Sequence, residues 1–144
     1  MIDVREQLVQ DEGQCLKVYL DAECNLTVGI GHRVLPSDNL KLGDTIDYIR
    51  CYELFNRDLE IAVAGVQNLI PAGVFVPADI HAVLVNMAFN LGQTKLAGFT
   101  HMLMAVKVQD WKHMAMEMID SRWFDQVKSR AVRLVNVVLE QAVA

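Results

Sequence analysis

Glu12, Asp21 and Thr27 follow one another at intervals of nine and six residues. Two carboxylates and a hydroxyl are the set that cleavage of a glycosidic bond requires. One carboxylic acid protonates the leaving oxygen, and a carboxylate stands on the other side of the sugar. In inverting enzymes the two carboxyl groups lie ~6.5–9.5 Å apart, which leaves room for the attacking water. A hydroxyl such as that of Thr27 can help hold this water. The same types at the same spacing also fit Glu12 as a solvated helix end, Asp21 as a turn former and Thr27 as a β-prone filler.

The surrounding pattern dictates where these side chains sit. Val4, Leu8 and Val9 recur at helical spacing, so residues 3–11 read as a short helix stopped by Gly13. Glu12 lies at its end. Lys17–Leu20 and Leu26–Val28 are β-prone runs on either side of a polar turn, Asp21–Asn25. With Arg33–Leu35 they predict a small hairpin or a three-stranded sheet. Asp44 or Thr45 is the expected N-cap of a helix from Ile46 to Leu69. Roughly 24 residues at 1.5 Å each span about 36 Å, enough to link two lobes. Residues 78–91 form a helix that is apolar nearly all round, with Pro77 before it and Gly92 after it, and such a helix is buried. Thr100 and Asp110 are expected N-caps further on, Ser121 or Ser129 starts others, and the Val- and Leu-rich run 131–143 is helical. Met87, Met102, Met104, Met114, Met116 and Met118 read as core, with Phe89, Phe99, Trp111, Trp123 and Phe124. Phe89 is expected at the cleft edge. The fold class is α+β, mostly α. A single domain of residues 1–144 is expected, with a small β-containing lobe at about 13–60. The helical lobe takes about 61–144 plus the N-terminal helix.

Composition excludes several classes. Apolar residues make up 53% of 144 and charged residues 22%, which rules out a disordered chain. The richest apolar stretch, Ile70–Leu91, is cut by Pro71, Pro77, Asp79 and His81, so stable membrane insertion is not expected. The first twenty residues carry too many charges for a signal-peptide core, which predicts synthesis in a cytoplasm. Cys15, Cys24 and Cys51 cannot all pair within one chain and read as small apolar fillers in a reducing compartment. They and the four histidines lack metal-ligand spacing. Net charge is −5, and residues 1–60 hold 6 basic against 12 acidic side chains. No basic stripe is present, so nucleic-acid binding is not expected.

Several segments together resemble phage-type lysozymes, the T-even phage muramidase family. Asp11-Glu12-Gly13, Leu16-Lys17-Val18-Tyr19, Asp21 and Leu26-Thr27-Val28-Gly29-Ile30-Gly31-His32 resemble the active-site segment. The resemblance continues at Leu54–Leu59, Asn86–Gly92, Ala97–Thr100, Ser121–Phe124 and Ser129–Ala131, so it covers nearly the whole chain.

The resemblance implies a lysozyme-like, two-lobed fold with the cleft between the lobes. It implies hydrolysis of the β-1,4 bond between N-acetylmuramic acid and N-acetylglucosamine in peptidoglycan, with no cofactor and no metal. Glu12 takes the general-acid position, Asp21 that of the second carboxylate and Thr27 that of the water-orienting hydroxyl. Glycan contacts fall on Arg33, Phe89, Met102 and Glu117. Better-known members carry an aliphatic, a serine and an asparagine at the first, third and fourth of these. Asn90 sits where it could reach across the cleft or close a helix end. Arg130 aligns with an arginine near the catalytic glutamate; a cation there favours the ionised acid, so burial or expelled water must oppose it. His32 and Asp58 align with an ion pair tying the hairpin lobe to the long helix.

The partner expected is bacterial peptidoglycan, met by a monomer. An endolysin role follows, in which the enzyme waits in the host cytoplasm until another protein permeabilises the membrane. Two alternatives stand beside it. A lytic transglycosylase breaks the same bond with a single acid, and a catalytically silent glycan-binding or virion module breaks none. The chain is acidic where many lysozymes are basic, so wall affinity is expected to be modest and weakly enhanced by low salt. Only 21 residues separate His32 from Leu54, which predicts a trimmed small lobe.

Overall fold

The computed structural model describes residues 3–144. Two compact units divide them: Arg5–Ile61, and Ala62–Ala144 with Asp3 and Val4.

In the first unit, helix α1 (Val4–Glu12) leads into an antiparallel sheet of β1 (Cys15–Leu20), β2 (Leu26–Gly29) and β3 (His32–Arg33), in the order β1-β2-β3. Gly13, at φ +71, closes α1 by donating its N–H to the Val9 carbonyl at 2.9 Å. All but one residue of α1 thus belongs to the same unit as the strands. β1 is bulged. Cys15 pairs with Gly29 and Tyr19 with Thr27, so three β1 residues face one residue of β2. The bulged stretch bonds outward instead: Val18 N–H donates to Asp44 O and Ile46 N–H to Leu16 O, both at 2.8 Å, which covers that edge. Val18, Val28 and Leu54 bury together, with Leu26, Val34, Leu40 and Ile46 packed on them. This core takes one face of β2, and strict alternation turns Thr27 to the other.

The pairing of residues 45–46 with β1 also sets the start of the long helix. A bridge joins Lys17 to Thr45, so these residues are extended and the helix cannot begin at Ile46. Helix α2 runs Tyr48–Leu69, and Asp47 caps it by accepting the Arg50 N–H at 2.8 Å. Asp44, expected as the cap, instead accepts the Lys41 N–H at 2.9 Å and closes the preceding turn. Residues 62–69 of α2 belong to the second unit.

The second unit is helical: α3 (Ala78–Leu91), α4 (Gln93–Ala97), α5 (Thr100–Lys107), α6 (Trp111–Ile119), α7 (Arg122–Val127) and α8 (Ser129–Ala142). Residues 82–88 of α3 are all buried, as its all-round apolar pattern requires. α8 is amphipathic by contrast. It buries Ala131, Leu134, Val135 and Val138, one stripe at helical period, worth about 1.5–3 kcal/mol for each large side chain. Asp110 and Ser121 cap α6 and α7 through the N–H groups of His113 and Phe124. Thr100 and Ser129 are not caps; each is already the first helical residue. The chain turns helical one residue earlier than expected at α5, where Leu103 N–H donates to Phe99 O at 2.9 Å. Met87, Met102, Met114, Met118 and Trp123 are buried, but Met104 and Met116 are 61% and 59% exposed and leave the expected core. Helical period puts them on the outer faces of α5 and α6. Among the described residues no helix is long and apolar enough to cross a membrane.

Candidate active site

The turn between β1 and β2 is built around Asp21. Its Oδ1 accepts the N–H of Glu23 at 2.9 Å and of Asn25 at 2.8 Å. Its own N–H donates to the Asn25 carbonyl at 3.0 Å. The Asn25 N–H, foremost, holds the carboxyl below its ordinary value of 3.8; desolvation, next in size, opposes it, and the Glu23 N–H, the Asn25 side chain and the charge of Arg33 add to the lowering. Asp21 is therefore an ionised carboxylate at neutral pH.

The Asn25 carbonyl also accepts the Thr27 hydroxyl, again at 3.0 Å. Asp21 and Thr27 thus share one acceptor. The hydrogen of Thr27 is committed, and the oxygen's two lone pairs are left for a donor such as water. In the sheet, Thr27 lies directly opposite Tyr19 on β1 and Arg33 on β3. Directly opposed residues share a face, so Tyr19, Thr27 and Arg33 form a row across it. Tyr19 feels both carboxylates. Burial first, then the charges of Cys15, Glu12 and Asp21, push its phenol above 10.0.

Glu12 ends α1 and is half-buried. Its carboxylate rests against Gly31, in the turn joining β2 to β3. A Cβ there would lie 2.6 Å from Oε2 of Glu12 and 2.9 Å from Cδ. The sheet and the end of α1 therefore bring the three candidate residues into one unit of the chain.

His32, next in sequence, is buried between two carboxylates. Its Nδ1 is 2.7 Å from Asp58 Oδ2, and its Nε2 is 2.8 Å from Asp38 Oδ2. Asp38 also accepts the Leu35 N–H at 2.7 Å and lies 3.7 Å from Arg50. Burial pulls the imidazole down, but hydrogen bonds to Asp58 and Asp38 and their charges outweigh it, and the net shift from 6.5 is upward. Sequence reasoning missed Asp38, because the loop 36–39 has no periodicity to orient it. A carboxylate six residues after the histidine was its only trace.

The remaining candidates lie in the helical unit. Phe89 is half-buried on α3, and the Asn90 Oδ1 accepts the Trp123 indole N–H at 2.9 Å. Met102 and Glu117 line one groove of about 450 Å³ with Phe99 and Trp123, which meet edge to face at 6.5 Å. Met102 is buried, so it forms floor there; Glu117 lies 3.2 Å from His113. Arg130 donates through Nε to the fully buried Asn86 at 2.9 Å, which joins α8 to α3. Among the described residues no group of three or more His, Cys, Asp or Glu side chains could hold a metal ion.

Residues 9–136 match the family model for phage lysozyme. The chain belongs to the phage lysozyme family. As a lysozyme it is a glycoside hydrolase that acts on peptidoglycan. It is 25% identical to a probable T4-type lysozyme 2 of Dictyostelium discoideum, over 93% of this chain and 92% of that protein. It is 29% identical to the pre-baseplate central spike protein Gp5 of Enterobacteria phage T4, over 96% of this chain but 28% of that protein. To an endolysin of Salmonella phage P22 it is 31% identical, over 65% of this chain and 64% of that protein.

Proposed function

We propose that this lysozyme cleaves the β-1,4 bond between N-acetylmuramic acid and N-acetylglucosamine, with Glu12, Asp21 and Thr27 as its catalytic residues. The observation that carries the reading is the shared carbonyl of Asn25, which ties the Asp21 backbone and the Thr27 hydroxyl at 3.0 Å each. Glu12 gives its proton to the glycosidic oxygen as the bond to the anomeric carbon breaks. Water, donating one hydrogen to Thr27 Oγ1, attacks that carbon from the other side. Asp21, ionised and held by backbone N–H groups, takes the proton that the water loses. Arg33, exposed opposite Thr27 in the sheet and close enough for its charge to act on Asp21, is the cation placed to meet a glycan there.

Glu12→Gln tests the assignment. It should abolish wall lysis while leaving the fold intact, and near wild-type lysis would refute the general acid. Product mass separates the alternatives: hydrolysis adds one water, whereas a transglycosylase leaves an anhydro sugar. An inverted anomeric centre supports direct attack by water, and a retained one makes Asp21 the nucleophile.

The same reading extends to a monomeric endolysin that acts from the host cytoplasm once a separate protein has opened the membrane. The match to the P22 endolysin supports it. Lysis on expression alone, with an intact membrane, would overturn that dependence. A virion-borne role is the second reading, supported by the match to the phage T4 spike protein over 96% of this chain. Recovery of the protein in purified virions would favour it, and recovery only in the lysate the endolysin.

A further inference from the structure

We propose that Tyr19 is a substrate-binding residue of this reaction, its phenol hydroxyl donating a hydrogen bond to an oxygen of the glycan held at Glu12 and Asp21. The inference rests on the muramidase reading above.

Position comes first. Tyr19 faces Thr27 directly across the β1–β2 ladder, on the face of the sheet that also carries Arg33. It therefore stands in the same row as the water-orienting hydroxyl. It is half-buried, yet among the described residues its hydroxyl makes no hydrogen bond. The hydroxyl is not sealed from solvent, so it is free to exchange water for a ligand. Tyr48 and Tyr52, on α2, are 62% and 44% exposed and meet their hydrogen-bond needs in water.

Chemistry comes second. Burial and the surrounding negative groups keep the phenol protonated well beyond neutral pH, so it is a donor throughout the working range. Sugar hydroxyls and acetamido carbonyls are neutral acceptors suited to it. Access comes third. The ring lines an open groove of about 440 Å³ with Lys17, Leu20 and Leu42, so it is reachable from solvent; Glu12, Asp21 and Thr27 do not line that groove, and the shared sheet face alone links Tyr19 to Thr27.

The test is Tyr19→Phe, which removes one oxygen and keeps the ring. The free protein loses no hydrogen bond, so the thermal midpoint should not move. On soluble wall fragments kcat/KM should fall about tenfold, the worth of a hydrogen bond to a bound ligand. In a Glu12→Gln background, chitotetraose should bind several-fold more weakly when Tyr19→Phe is added. Phenol absorbance titration gives a readout free of activity: of three tyrosines, one should ionise last, vanish in Tyr19→Phe, and ionise later still with chitotetraose bound. The proposal is overturned if Tyr19→Phe matches wild type in kcat/KM and binding. A drop in activity accompanied by an equal drop in stability would overturn it too, by making the residue structural. If Glu12→Gln stays active, the muramidase reading fails instead, and the two failures are distinct.

Discussion

A methyl group on Gly31 would stand 2.6 Å from the Glu12 carboxylate oxygen Oε2. The candidate acid is thus held against bare backbone, in a turn where residue 31 has φ +63. Gly31→Ala meets two costs. Left-handed backbone costs an L-residue about 1–2 kcal/mol. The methyl also overlaps the Glu12 carboxylate, which must shift because the side chain yields more readily than the turn. Stability should fall modestly in urea titration, whereas lysis should fall about 100-fold, the penalty typical of a 1 Å misplacement. Activity within twofold of wild type would show that Glu12 does not act from this position.

Asp21→Asn separates charge from shape. The amide oxygen can still accept the N–H groups of Glu23 and Asn25, now at 2.9 and 2.8 Å, so the turn should persist and the thermal midpoint should hold. Losing the carboxylate should cut the rate by roughly 10²–10⁴. In the wild type the carboxyl titrates below 3.8, chiefly because of the Asn25 N–H. A rate profile should accordingly stay flat as pH falls toward 4. An acid limb that begins near 6 would assign the base to another group.

Lys128 carries strain with no visible function. It lies between α7 and α8 at φ 50 and ψ −110, a backbone region suited to glycine, and it is exposed. Lys128→Gly removes strain of about 1–3 kcal/mol and adds about 0.5–1 kcal/mol of backbone freedom to the unfolded chain. A net stabilisation of about 1 kcal/mol should appear in chemical denaturation. No gain would mean that the lysine is not strained there.

Periodicity carried the helical unit well, because burial acts on whole faces. Helix 78–91 has the bounds expected of it, since Pro77 and Gly92 punctuate it and nothing between them competes. Residue type alone misplaced Met104 and Met116, which read as core although their phase on α5 and α6 points outward. In the sheet unit the informative residues were local. Type and spacing made Glu12, Asp21 and Thr27 candidates but fitted a helix end, a turn former and a β-prone filler as well; the resemblance to phage-type lysozymes singled them out. Asn25 could not be picked out, because its contribution is a backbone carbonyl, which any residue has. Ile46 fits a helical pattern, but its N–H is taken by Leu16 in an edge pairing between distant segments. Single-sequence patterns do not encode such pairings, and the same holds for Asp38 beside His32.

That pair sets the pH dependence of stability. With a carboxylate 2.7 Å from Nδ1 and another 2.8 Å from Nε2, both ring nitrogens of His32 must donate, so the folded state prefers imidazolium. Its folded pKa lies above the unfolded 6.5, despite burial, because Asp58 and Asp38 outweigh that effect. A raised pKa means that the folded state holds its proton more tightly. The stabilisation is complete below pH 6.5 and is lost as pH rises through the raised folded value. Asp38 has the opposite sign. Burial raises it, but the His32 hydrogen bond, the Leu35 N–H and the charges of His32 and Arg50 bring it below 3.8. Its contribution is present above pH 3.8 and disappears as pH falls through the lower folded value. Stability should therefore peak between pH 4 and 6.5, read as thermal midpoint against pH. Asp38→Asn should cost on the order of 3 kcal/mol at pH 6 by leaving a buried charge with one partner fewer. That cost should shrink as pH rises past the His32 titration, where wild type loses the same interaction. A constant deficit from pH 6 to 9, or a His32 proton resonance titrating below 6.5, would mean that the two carboxylates do not hold the ring as an imidazolium.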